Sequence, residues 1–170
     1  MMDSPSLPNV YENVCRGLGY DERPLLSKAL EKVEERVSKG EDVILFLEAP
    51  TGYGKSTLSL ALYAALRKGR HDVAQRIIHV LPMRSIGIDL KNRMTSYANT
   101  LSTKGLPVNV EDIGLQQMHS PGSPMLCKRF VITTLDTFIT SFFKMPAAEI
   151  YNVHHYGTAH YEVPRACIYS

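Results

Sequence analysis

Lys55 and Ser56 stand at the end of a short run of small residues, where their side chains could handle a phosphate group. Residues 49–56 read Ala-Pro-Thr-Gly-Tyr-Gly-Lys-Ser. In such a loop the lysine reaches the β- and γ-phosphates of a nucleotide, and the serine hydroxyl binds Mg²⁺. Gly52 and Gly54 suit this role, because a side chain at either position would block the backbone angles or the phosphate itself. The sequence therefore predicts a phosphate-binding loop.

The strict form of this motif begins with glycine, and Ala49 stands at that position as a recognised variant. An alternative is a glycine-rich turn between a strand and a helix that exposes a lysine without binding anything. The expected phosphate contacts are Thr51, Gly52, Tyr53, Gly54, Lys55, Ser56 and Thr57, with Ser56 as the Mg²⁺ ligand.

Two elements must flank this loop to position it. The apolar run at residues 43–47 predicts a buried strand that stops at the loop. Residues 57–68 predict a helix whose amino terminus points at the phosphate. Together they predict a strand, loop and helix in which backbone N–H groups surround a polyphosphate.

The rest of the chain alternates between helical and strand patterns. Helices are expected from Asp21 to Gly40, over residues 86–97 and over residues 136–144; strands are expected at residues 76–81, 108–113, 114–118, 129–133 and 166–170. This alternation is typical of an α/β fold with a mainly parallel sheet flanked by helices. Residues 1–20 read as a lead-in, and residues 21–170 read as part of one domain.

Composition excludes some classes of protein. The chain has 170 residues and a formal net charge of +2, so contact with nucleic acid would depend on the local placement of basic residues. Its three cysteines, Cys15, Cys127 and Cys167, are widely spaced and indicate neither a disulfide framework nor a thiolate zinc site. We therefore expect a reducing, cytoplasmic setting and no membrane partner.

Three stretches resemble motifs of superfamily 2 helicases. Residues 49–56 resemble motif I, in which Ala-Pro-Thr-Gly-x-Gly-Lys is usual. Residues 80–85, Val-Leu-Pro-Met-Arg-Ser, look like motif Ia. Residues 131–138, Val-Ile-Thr-Thr-Leu-Asp-Thr-Phe, are similar to the threonine-containing motif before the Walker B strand, and their wording most resembles the helicase component of CRISPR interference.

The resemblance implies the first RecA-like domain of an ATP-dependent helicase, with ATP and Mg²⁺ in the loop. By the same resemblance, Pro82, Arg84, Thr134 and Asp136 would face the nucleic-acid backbone. The implied partners are single-stranded DNA bound without sequence preference, a second RecA-like domain, a nuclease and a CRISPR surveillance complex.

The chain also departs from this family. It contains no Asp-Glu-x-His motif, which the family places directly after an apolar strand such as residues 166–170. We therefore expect a piece that ends before this motif and binds nucleotide without hydrolysing it. Ser27 stands where a nucleotide-sensing glutamine is usual.

Other interpretations remain open at this point. One is a self-contained small P-loop kinase or regulatory NTPase, in which Asp136 would be the Walker B aspartate. Asp136 could also serve as a helix cap without any function. A non-catalytic interaction module is a further possibility. His154, His155, His160 and Cys167 fit no standard zinc spacing.

Overall fold

The computed structural model of the chain describes residues 5–117, 120–143, 154–155 and 162–169. Its helices are α1 (Leu7–Leu18), α2 (Pro24–Val37), α3 (Lys55–Arg67), α4 (Ser85–Thr103), α5 (Leu135–Phe142) and α6 (Glu162–Tyr169). Its strands are β1 (Ile77–Leu81), β2 (Ile113–Gln117), β3 (Ser120–Pro121) and β4 (Phe130–Thr134). The described residues divide into one compact unit within 1–75 and 97–109, and a second within 76–96 and 110–170.

In the first unit, α1 packs against α2 and α3. The helix α1 ends at Gly19 in a left-handed conformation, and α2 begins with Pro24 at its first position, where the missing N–H costs nothing. The core side chains are apolar and fully buried; they include Val10, Val14, Leu26, Leu30, Leu60 and Leu66. The helices expected after Asp21 and after the glycine loop are therefore confirmed.

A buried ion pair also stabilises this unit. Arg70, whose side chain is only 5% exposed, donates to Glu34 and to Asp72, each at 2.8 Å. The Glu34 carboxylate also accepts the amide N–H of Leu7 at 2.7 Å, at the first residue of α1. Glu34 therefore ties α1 and α2 to the segment that follows α3.

The second unit contains a four-stranded sheet with the order β1-β4-β2-β3. The strands β1, β4 and β2 run parallel, and β3 pairs antiparallel with β2. Every residue of β2 and β4 is buried, as expected for parallel strands covered on both faces. The predicted fold class, an α/β fold with a mainly parallel sheet and flanking helices, is confirmed.

Residues 43–47 do not form the expected strand. They have no regular secondary structure, and Ile44 and Phe46 are 86% and 93% exposed. A strand exists only when the N–H and C=O groups of neighbouring strands pair with its own, and none of the four described strands pairs with this segment. Residues 108–112 also lack the expected strand, because a 3₁₀ turn at Val110–Asp112 leads directly into β2.

The carboxyl-terminal part differs from prediction as well. Residues 166–169 belong to the helix α6 instead of a strand, and Ser170 lies outside the described residues. Cys127 and Cys167 form a disulfide, so the expectation of no disulfide is wrong. The two cysteines are 40 residues apart in sequence, but α6 packs against the turn Pro124–Leu126 and brings their Cα atoms to 5.4 Å.

Candidate nucleotide and nucleic-acid sites

Residues 51–54 form the turn that leads into α3. Gly52 and Gly54 adopt left-handed angles, with φ of 81° and 94°. A side chain is strained in this conformation, and glycine is not. The Thr57 amide donates to the Gly54 carbonyl at 2.9 Å, so the helix begins as soon as the turn ends. The two glycines therefore permit an abrupt change from loop to helix.

The helix α2 supports this loop. A Cβ atom placed on Gly54 would lie 3.7 Å from Leu26 Cδ1, which belongs to the buried core of the first unit. The Arg23 guanidinium lies over the Tyr53 ring at 5.7 Å, within the range of a cation–π contact. Ser27, at the position where a sensing glutamine is usual, donates its hydroxyl to Glu22 at 3.2 Å.

Lys55 lies across the mouth of the loop. Its ammonium group donates to the carbonyl oxygens of Ala49 and Pro50, the latter at 2.9 Å. Among the described residues, no carboxylate lies within ion-pair distance of Lys55. Because carbonyl oxygens are weaker acceptors for an ammonium group than phosphate oxygens, an anion could replace them.

The loop has features that a nucleoside triphosphate site requires. A Cβ on Gly52 would meet no atom of the described residues within 4 Å, so they leave the space on that side of the turn open. No described side chain caps the start of α3, so the amides of its first two residues, Lys55 and Ser56, and its positive dipole end are left for a ligand. Lys55 and the amides of residues 51–57 would hold the phosphates, and Ser56 would hold Mg²⁺, which neutralises phosphate charge when bound.

The second unit brings Arg84 and Asp136 together. Leu81 and Thr134, the last residues of β1 and β4, are partners in a parallel pair, so both strands end at the same sheet edge. The segments that leave these strands carry Arg84 and Asp136, and Arg84 Nη2 donates to Asp136 Oδ2 at 2.5 Å. About half of each side chain is exposed, 47% and 50%. Pro82 is exposed beside them.

Thr134 takes part in this arrangement from below the surface. It is fully buried and occupies the N-cap position of α5, and its hydroxyl lies 3.1 Å from that of Thr137. Hydrogen bonds from Thr134 and Arg84 lower the pKa of Asp136 below its ordinary value. Asp136 lies in the first turn of α5, so its interpretation as the helix cap is wrong.

Sequence reasoning missed Gly87 and Gln117. Gln117, at the end of β2, is buried and donates its side-chain amide to the Arg84 carbonyl at 3.0 Å. A Cβ on Gly87 would lie 2.0 Å from the Gln117 amide nitrogen, so glycine leaves the room that this bond needs. A buried glutamine at a strand end and a glycine in the preceding helix give no local signal of this contact.

The described residues give no support to a zinc site. They contain no group of three or more histidine, cysteine, aspartate or glutamate side chains that could hold a metal ion. Cys167 is engaged in the disulfide, His154 and His155 are exposed, and His160 lies outside the described residues. None of the described helices is both long and apolar enough to cross a membrane.

Residues 20–147 match the model of a protein family described as type III restriction enzyme, res subunit. This match covers most of the chain, including both the glycine loop and the Arg84–Asp136 pair. The chain belongs to this family. Its members carry a superfamily 2 helicase-like ATPase domain with a RecA-like fold, so the predictions of an ATP-binding, nucleic-acid-associated ATPase domain are confirmed at that level. Neither a curated protein nor a solved structure matches the chain.

Proposed function

We propose that the chain is the nucleotide-binding part of an ATP-dependent DNA translocase. In this proposal the glycine loop holds ATP and Mg²⁺ through residues 51–57, and Pro82, Arg84 and Asp136 form a surface for the backbone of single-stranded DNA. Thr134 is buried beneath that surface and acts through its hydrogen bond to Asp136. The family match supports an ATPase that works on nucleic acid. It gives no support to the alternative of a self-contained small kinase.

The observation that carries the nucleotide site is the geometry of the loop. Two left-handed glycines precede an uncapped helix, and a lysine at the start of that helix is bonded only to carbonyl oxygens among the described residues. Each feature favours an anion at the same place: the glycines allow close approach, the helix end is positive, and the lysine can exchange partners.

Isothermal titration calorimetry with Mg²⁺ and ATP tests this site. Lys55→Ala should weaken binding at least about tenfold, because a hydrogen bond to a charged group is worth about 1.5–3 kcal/mol. Lys68→Ala is the matched control, since Lys68 is the C-cap of the same helix and lies at its opposite end. Equal affinities for the two variants would contradict the phosphate assignment.

We further propose that this chain binds ATP without turning it over. The chain lacks the Asp-Glu-x-His motif that would orient the attacking water. A release assay for inorganic phosphate should therefore give the same low rate with and without single-stranded DNA. A DNA-stimulated rate that disappears in Lys55→Ala would contradict this proposal.

We also propose that the chain acts in CRISPR interference. It would work there with a second RecA-like domain, a nuclease and a surveillance complex, in the cytoplasm. The sequence of residues 133–138, Thr-Thr-Leu-Asp-Thr-Phe, supports this proposal. The expected substrate is then DNA and not RNA. Competition between unlabelled DNA and RNA oligonucleotides of the same sequence tests this, and stronger competition by RNA would contradict it.

A further inference from the structure

A second basic surface lies at the opposite end of the strands that lead to Arg84 and Asp136. Arg76 comes directly before β1, and Lys128 and Arg129 come directly before β4. Ile77 and Phe130 are partners in the parallel pair, and the Ile77 amide donates to the Arg129 carbonyl at 2.8 Å. The backbones of the two arginines therefore lie side by side at the amino-terminal edge of the sheet.

This cluster of Arg76, Lys128 and Arg129 shares the amino-terminal edge of the sheet with two acidic residues, Glu111 and Asp112, which come directly before β2. Asp112 stands beside Arg129, because Ile113 and Phe130 are partners in the parallel pair of β2 and β4. Among the described residues, no carboxylate forms an ion pair with any of the three. Lys128 donates its ammonium group to the backbone carbonyl of Glu111 at 2.8 Å, and Arg129 is exposed. The three cations outnumber the two carboxylates, and like charges on neighbouring strands repel each other, so an anion at this edge would stabilise it.

Within the cluster, the Arg76 guanidinium has hydrogen-bond donors that are only partly satisfied. It donates to the Leu126 carbonyl at 3.2 Å, while its buried Nε–H has no acceptor in the part of the chain that the structure describes. Burial lowers the pKa of Arg76, which means that its charged form is poorly solvated. An anion at the surface beside the guanidinium would offset part of this cost.

We propose that Arg76, Lys128 and Arg129 form a second phosphate site, which takes the backbone of the same nucleic acid that Arg84 contacts. This inference rests on the proposed function for its ligand and adds a site that the helicase motifs do not include. The five residues of β1 separate the two sheet edges by about 17 Å, at 3.3 Å per residue. Only a nucleic acid longer than a few nucleotides can therefore contact both edges.

Fluorescence anisotropy with labelled dT20 at several salt concentrations tests the inference. Arg129→Gln should lower the affinity about threefold at low salt, and the slope of log K against log salt should flatten by about 0.7, the value for one contact to a single strand. Arg129 is exposed, so its replacement should leave the fold intact. Arg93→Gln, an exposed arginine on α4, is the matched control and should change neither quantity.

The double variant with Arg84→Gln should show additive losses, because independent contacts on opposite edges do not interact. If Arg84→Gln weakens dT20 binding and Arg129→Gln does not, the second site is overturned while the proposed function stands. If neither variant weakens dT20 binding, the second site and the proposed function are both overturned.

Inorganic phosphate distinguishes the two sources of the ligand. Millimolar phosphate should compete with dT20 only weakly, since one free ion replaces one of several contacts. If Arg129→Gln abolishes phosphate binding and leaves dT20 binding unchanged, the site belongs to a free phosphate and the inference is overturned.

Discussion

Replacement of Asp136 with asparagine should raise the affinity of the chain for single-stranded DNA. Asp136 accepts a hydrogen bond from Arg84 at 2.5 Å, and its carboxylate therefore stands where a DNA phosphate would have to bind. Asparagine has nearly the same shape and lacks the charge, so it would hold the guanidinium more weakly without opening a cavity. The expected direction is unusual, because removal of a residue from the proposed surface should strengthen binding.

The magnitude follows from the exposure of the ion pair. Its two side chains are 47% and 50% exposed, so water screens the pair and its worth should fall in the range for surface ion pairs, about 0.2–1 kcal/mol. If that amount is lost whenever DNA displaces Asp136, the variant should bind about 1.4- to 5-fold more tightly. Arg84→Gln should do the reverse and flatten the salt slope by about 0.7.

The assay is again anisotropy with dT20, now over a range of pH. Hydrogen bonds from Thr134 and Arg84 lower the pKa of Asp136, so its charge persists through the range in which an ordinary carboxyl takes up a proton. The pair therefore stabilises the fold above the unfolded-state pKa, and this contribution is lost as the pH falls through the lowered folded-state value. The advantage of Asp136→Asn should be full at neutral pH and should shrink only in strong acid.

Asp89→Asn is the control for a change of net charge, since Asp89 is exposed on α4. A small rise in DNA affinity that both variants share would reflect the change in net charge and not a weaker hold on Arg84. If Asp136→Asn weakens binding as much as Arg84→Gln does, the intact pair is what DNA needs, and Arg84 does not hold a phosphate.

Three further changes test the packing that surrounds the sites. Arg70→Ala should lower the free energy of unfolding by about 3 kcal/mol in urea, because it leaves the half-buried Glu34 carboxylate without its cation. Reduction of the disulfide should lower it by up to about 4 kcal/mol, the loop entropy for a 40-residue separation, and Cys127→Ser should not respond to the reductant. Gly87→Ala should weaken dT20 binding, because its methyl group would displace the Gln117 amide from the Arg84 carbonyl.

Each of these changes has a comparison that could contradict it. Arg36 forms an ion pair with Glu41 on the surface, so Arg36→Ala should unfold almost like the original chain. An equal loss from Arg36→Ala and Arg70→Ala would show that burial does not matter. Asn92→Ala, at an exposed position of α4, is the corresponding control for Gly87→Ala.

The Arg70 cluster also predicts how the chain responds to acid. Burial alone would raise the pKa of Glu34, but hydrogen bonds from Arg70 and the Leu7 amide outweigh it, and the pKa is lowered. The resulting stability is present above the ordinary glutamate range and is lost as the pH falls through the lowered value. Arg70→Ala should remove this part of the acid transition in urea titrations.

Local constraints explain which features the sequence could predict. The turn at Gly52 and Gly54 and the helix after it depend on backbone angles and capping within a few residues, and both could be read from the chain. The proximity of Arg84 and Asp136 also followed in outline, because parallel strands end at the same edge of a sheet.

Contacts between distant segments explain the errors. Residues 43–47 have strand-forming side chains, but a strand also needs neighbouring strands to pair with. The sequence of these five residues does not reveal whether such strands are present. The disulfide depends on where α6 packs, and the Gln117 contact depends on a space left by Gly87. Neither can be found without knowing which elements lie side by side.

The exposed apolar segment at residues 43–47 affects how the chain behaves in concentrated solution. Four of its apolar side chains, Val43, Ile44, Leu45 and Phe46, are exposed to water, and exposed apolar segments of this kind can pair with one another between copies of a chain. Solubility, and not folding, will therefore set the highest concentration at which the chain can be kept. A lysine in place of Phe46 would act as a gatekeeper and extend that limit.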